Sequence, residues 1–225
     1  MKLILASAGF STPEIANKCA ELVGKSKDGI NIAVINEAYA VEHGDHGWVL
    51  TDLSQIKDGF KGRMELVNLL ALDLAKVKER IELADVIFVV GGHTDYLMSV
   101  FRKTGFDKLL PRLLKTKVYV GSSAGSMVLC NRVSTEAYAK IYGEEEDYGI
   151  DSYLGLVNLA IKPHLGNPLF PNNNPDKLVE VTKSYKGLVY GLRDDSAIVV
   201  DGDKRYVIGS EPVIIKDGVL QEAKQ

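Results

Sequence analysis

Lys117-Val118-Tyr119-Val120-Gly121-Ser122-Ser123-Ala124-Gly125-Ser126-Met127-Val128-Leu129 reads as a short β-rich strand running into a tight turn and then an apolar helix. Ser123 sits at the bend, with Gly121 and Gly125 two residues away on either side. This G-x-S-x-G spacing suits a nucleophile elbow, because a side chain at either glycine would collide where strand and helix pass closely. Such a turn lifts a hydroxyl out of the sheet toward the unpaired N–H groups of the next helix, which favour a developing oxyanion. The backbone N–H of Ala124 is the first candidate donor. Turns of the same composition also cradle phosphates or serve only as connectors, so other segments have to decide between these uses.

Length and composition narrow the field. The 225 residues, 46% hydrophobic, read as a single α/β domain spanning 1–225 with a sizeable core. A net charge of −3 without a basic run gives no attraction to nucleic acid or to acidic membranes, so small solutes are the expected partners. The apolar part of Met1 to Gly9 is too short for a signal peptide and reads as a first buried strand. No stretch approaches a transmembrane span. Cys19 and Cys130 lack metal-type spacing and read as buried free thiols, which points to a reducing, cytoplasmic setting.

The strand at 117–121 is one of several. Leu3–Ala8, Asn31–Ile35 and Ala84–Val90 are nearly continuous apolar runs, as strands covered on both faces should be. Helical patterns separate them: one opened by Ser11-Thr12-Pro13-Glu14, one over Met64–Arg80, one through Tyr96–Phe101 and one over Phe106–Leu114. This alternation predicts an open, mostly parallel sheet with helices on both faces, a three-layer sandwich whose ligands sit beyond the carboxyl ends of the strands. Residues 36–61 read as an irregular stretch, either a solvated loop or a wall of the substrate pocket carrying Trp48, and the spacing of His43, Asp45 and His46 matches no metal template. Glu144-Glu145-Glu146-Asp147 reads as a solvated loop. A strand over Leu156–Lys162 delivers Pro163-His164, a helix comes next over Asp176–Tyr185, and then a strand over 187–192. The chain closes in an antiparallel meander over 196–201, 205–209 and 213–216.

Three marks stand in chain order: Gly91-Gly92-His93-Thr94 after one strand, the Ser123 elbow after another, and Pro163-His164 after a third. The glycine pair allows close backbone approach, which makes the Gly92 N–H a second candidate oxyanion donor. A histidine at a strand end beside a proline is well held for general-base work. The ordered set resembles peptidase family S51, the dipeptidase E and cyanophycinase-like serine peptidases, whose fold is similar to that of class I glutamine amidotransferases. The resemblance implies Ser123 as nucleophile, His164 as base, Gly92 and Ala124 as oxyanion donors, and His93, Thr94 and Asn167 as substrate contacts. The Arg132-Val133-Ser134-Thr135-Glu136 segment assigns the third triad role to Glu136, with Glu144, Asp147 and Asp195 as alternatives.

The resemblance thus implies a serine hydrolase cleaving short peptides through an acyl-enzyme, with no metal or organic cofactor, as a monomer or homodimer. Dipeptidase E implies N-terminal Asp-X substrates. This sequence departs from that pattern in having His93 in place of an asparagine and no arginine between Arg132 and Arg193; Lys177 or His93 would have to stand in as the cation. The alternative is a non-catalytic or sensory relative that binds a small amino-acid-like ligand. A glutaminase subunit is disfavoured because the elbow bears serine where that chemistry uses cysteine.

Overall fold

The computed structural model describes residues 1–221. In chain order the elements are β1 (Lys2–Ala6), α1 (Pro13–Val23), β2 (Ile32–Ile35), α2 (Gly47–Gly59), β3 (Met64–Leu66), α3 (Leu74–Glu82), β4 (Val86–Val89), α4 (Thr94–Thr104), α5 (Phe106–Leu113), β5 (Val118–Ser122), α6 (Ala124–Met127) and α7 (Thr135–Tyr142). The remainder is β6 (Ala160–Lys162), α8 (Pro175–Thr182), β7 (Leu188–Gly191), β8 (Ala197–Asp201), β9 (Lys204–Ile208), β10 (Val213–Lys216) and β11 (Val219–Leu220).

The main sheet has the order β3-β2-β4-β5-β1-β8-β9. The first five strands pair in parallel, and β8 and β9 add antiparallel at the β1 edge. Side chains alternate between two cores with the period of a pleated strand. Leu3, Leu5, Ile87 and Val89 join α3, α4 and α5 on one face, through Val77, Ile81, Leu97, Phe101 and Leu110. Ile4, Ala6, Val86 and Phe88 join α1 and α2 on the other, through Ile15, Leu22, Val49 and Ile56. The expected mostly parallel sheet between helical layers is what the chain forms. Local signals set the helix ends: Thr12 caps α1 with Pro13 in its first turn, and Gly24 closes it in the left-handed conformation. Cys19 and Cys130 are free and buried.

A second sheet, β11-β10-β7-β6, covers a smaller core with α8. The C-terminal strands therefore do not form one meander. β8 and β9 extend the main sheet, whereas β10 pairs with β7 and turns back as β11. Other expectations also need correction. Residues 47–59 are helical rather than irregular, burying Val49, Asp52 and Ile56. Met64–Arg80 is not one helix: β3 pairs with β2, Asn68 Oδ1 accepts from the amides of Leu70 and Ala71 in a turn, and Asp73 caps α3. An Asx turn and an N-cap compete effectively with a leucine-rich helical pattern. The strand before His164 is confined to Ala160–Lys162. No helix among the described residues is long and apolar enough to cross a membrane.

Candidate active site

The elbow is built by close backbone contact. A Cβ at Gly121 would lie 2.5 Å from the Gly125 carbonyl carbon, and one at Gly125 would lie 2.1 Å from the Val89 carbonyl oxygen, so neither position has room for a side chain. Ser123 takes φ 51°, ψ −113°, a conformation that costs on the order of 1–3 kcal/mol for a non-glycine residue and persists where neighbours over-determine it. They do so here. The Ser123 amide donates to the carbonyls of Ala6 and Ser7, and the Ser126 hydroxyl bridges the carbonyls of Ala6 (2.7 Å) and Gly121 (2.9 Å).

β1, β4 and β5 end side by side, which brings their following loops together. A Cβ on Gly91 would stand 3.1 Å from that of Ser123, so the Gly91-Gly92 loop runs directly past the hydroxyl. Gly92 has φ +122°, and a Cβ there would meet the Ala38 carbonyl at 2.4 Å. The amides of Gly92 and Ala124 have no backbone or side-chain acceptor among the described residues. α6 is only four residues long, so its aligned dipoles are few and the local N–H groups matter more than a macrodipole.

His164 comes from the second sheet. Its backbone is also left-handed, φ 65°, and is pinned by its amide donating to Ser7 Oγ (2.7 Å) and by Leu165 N donating to the Leu192 carbonyl (2.8 Å). The ring stacks on Phe170, with centroids 4.9 Å apart. Its Nε2 lies 2.9 Å from Ser123 Oγ and its Nδ1 2.6 Å from Asp194 Oδ1. Asp194 also receives the Ser7 hydroxyl (2.9 Å) and the Asn167 amide (2.6 Å). Burial alone would raise the Asp194 carboxyl, but the hydrogen bond and charge of His164, helped by Asn167 and Ser7, outweigh it and hold the group below the ordinary carboxylate range.

The acid against His164 is therefore Asp194 and not Glu136. Glu136 lies on the outer face of α7 with its side chain 75% exposed, paired with Lys140 at 2.8 Å. The alternatives fail as well: Asp147 caps Gly149 N, Asp195 accepts from Ser210, and Glu144, although on the cavity wall, does not reach the imidazole. Asp194 does carry a sequence signal, since it comes after the strand that neighbours the one delivering His164, but that pairing is a tertiary fact. Ser7, at the end of β1, has no motif to mark it.

A cavity of about 300 Å³ opens over Ser123, His164, Gly91 and Gly92, with Trp48 and Asn167 on its wall. His93 and Thr94 do not line it. Both are buried: His93 caps α4 by accepting from Tyr96 N and packs edge-on against Tyr148, and the Thr94 hydroxyl points at Met127 Sδ. Lys177 pairs with Glu180 at the surface. Asn167 supports Asp194 from the cavity rim.

A model of peptidase family S51 matches residues 3–208. The chain belongs to peptidase family S51. An uncharacterized peptidase of Listeria monocytogenes is 26% identical over 143 residues, covering 62% of this chain and 67% of its own. A peptidase E of Streptomyces coelicolor is 30% identical over 138 residues, covering 59% and 55%. The chain thus spans about half to two thirds of such relatives. Among solved structures, a candidate peptidase E of Listeria monocytogenes EGD-e superposes with a TM-score of 0.76 at 20% identity, covering 93% of this chain and 98% of the other. A peptidase from an acI-B1 Actinobacterium superposes with a TM-score of 0.69 at 17% identity, covering 98% and 92%. At these identities the superpositions speak for the S51 fold.

Proposed function

We propose that this S51 member is a serine peptidase that cleaves short peptides through an acyl-enzyme, with a Ser123-His164-Asp194 triad. The observation that carries the reading is the unbroken hydrogen-bonded path from Ser123 Oγ through both ring nitrogens of His164 to Asp194. Ser123 attacks the scissile carbonyl as His164 Nε2 accepts its proton, while Asp194 holds the Nδ1–H tautomer and stabilises the imidazolium. The amides of Gly92 and Ala124 are the donors for the oxyanion. The imidazolium then protonates the leaving amine, and a water activated by His164 releases the acyl group, restoring Ser123.

A fluorophosphonate probe tests the nucleophile. Labelling is expected at Ser123 alone, and Ser123→Ala should lower kcat on cleaved dipeptides by about 10⁶-fold with little change in Tm. Undiminished turnover by that variant defeats the reading. Absence of both labelling and hydrolysis in the native protein favours instead a relative that only binds a small amino-acid-like ligand.

A further inference from the structure

One end of the cavity is formed by α2. Asp52 and Gln55 stand one helical turn apart there, both on the cavity wall. Asp52 is only 6% exposed. No backbone or side-chain donor among the described residues makes a hydrogen bond of ordinary geometry to its carboxylate, although the Ser122 hydroxyl lies beside it, and burial pushes its pKa up to about 6. Gln55 Oε1 is buried and also lacks a donor. Gln55 Oε1 without a donor, beside an Asp52 carboxylate whose one neighbouring donor is the Ser122 hydroxyl, leaves acceptor capacity unfilled on the wall of the cavity that holds Ser123, and buried polar groups are rarely left unpaired.

The rest of the wall has the same sign. Its other acidic side chains are Glu42, Asp194 and Glu144, the last held toward its neutral form by burial, and neither lysine nor arginine lines the cavity. Asp194 is already satisfied by His164, Asn167 and Ser7. Glu144 has Lys162 behind it as a partial countercharge. Arg193, whose guanidinium lies by Gly166, is exposed and outside the lining. An aspartyl side chain would enter this cavity against like charge, with no guanidinium fork to receive it.

Resting on the peptidase reading of Ser123, we propose that the cavity selects a positively charged acyl-side residue, whose ammonium group donates to Asp52 and Gln55, and rejects an aspartyl one. The ammonium is either the α-amine or a basic side chain. Hydrogen bonds to a charged partner discriminate by roughly 10- to 100-fold.

Calorimetric binding to the Ser123→Ala protein at pH 7.5 tests this without requiring turnover, so its failure is separate from failure of the peptidase reading. The ligands are lysinamide, norleucinamide, Nα-acetyl-lysinamide and aspartic acid α-amide. Lysinamide is expected to bind about 10- to 100-fold more tightly than the aspartyl amide. Loss of affinity with norleucinamide assigns the side chain, and loss on acetylation assigns the α-amine. Asp52→Asn, added to the Ser123→Ala protein, should abolish the preference, and Gln55→Glu should strengthen it. The second variant keeps the test decisive if the first does not fold. Equal or tighter binding of the aspartyl amide, no binding of any ligand, or affinities indifferent to both substitutions each overturn the proposal.

Discussion

Lys162 and His164 leave the same strand on either side of one proline, and each is set against an acid, yet the two arrangements are opposites. His164 is partly accessible, both ring nitrogens are bonded, and Asp194 gathers three side-chain partners. Lys162 is fully buried, and its Nζ has no hydrogen-bond acceptor, lying 3.6 Å from the centre of the Tyr138 ring with Glu144 as its opposing charge. Burial pushes Lys162 down to about 7 and Glu144 up to about 8, so each is driven toward its neutral form. The rim pair is a saturated hydrogen-bond network able to handle a proton at defined atoms. The inner pair balances charge at a distance and through a ring face.

The sharpest way to break the contrast is at the rim. Asp194→Asn should cut kcat by about 10³–10⁴-fold, since an amide does not enforce the Nδ1–H tautomer, while Tm stays near native. A loss of less than tenfold in steady-state assays would remove Asp194 from the triad. At the inner pair the effect belongs to stability. Replacing both members, Lys162→Met with Glu144→Gln, removes the two buried charges together and is expected to be neutral or stabilising by about 1–4 kcal/mol in denaturant unfolding. Marked destabilisation would show the ammonium to be well solvated by its aromatic neighbours.

A smaller effect comes from Glu144. In the unfolded chain a glutamate ionises near pH ~4.3, whereas in the fold burial holds the proton up to about 8. The native state therefore binds the extra proton across that window, and stability must fall as pH rises through it. Glu144→Gln should flatten the Tm profile between pH 5 and 8.5, and an unchanged slope refutes the assignment. The smallest effect is expected at Glu136→Ala: turnover unchanged and stability within about 0.5 kcal/mol. A large loss of turnover there would reopen the choice of triad acid.

The same contrast separates what a sequence can show from what it cannot. Ser123, Gly121, Gly125 and the Gly91-Gly92 pair are legible because their roles come from local sterics: a bend tolerates only certain residues, and a residue pattern records that demand. The buried strands are legible for the same reason, since coverage on both faces requires continuous apolar runs. Within the acidic run, Glu145, Glu146 and Asp147 are exposed as a solvated loop should be, but the place of Glu144 is not legible. Polar composition suggests solvent, yet Glu144 folds inward beside Lys162 and Glu42, and only packing reveals it. The leucine-rich stretch after Met64 mimics a helix because β3, at the edge of the sheet, is too short to show a strand period of its own.

By itself, then, the chain determined a layered, mostly parallel α/β fold, a bent serine and a histidine at the end of a strand, all products of short-range constraint. Tertiary structure decided which carboxylate meets His164, Asp194 rather than Glu136, because the parallel pairing of β6 with β7 sets the loops after them side by side. It also decided that His93 and Thr94 serve a helix cap and the core rather than the cavity, and that α2 brings Asp52 and Gln55 to the cavity wall. Hydrogen bonds between residues 30 to 157 positions apart, as from His164 to Asp194 and to Ser7, leave no periodicity in a sequence to read.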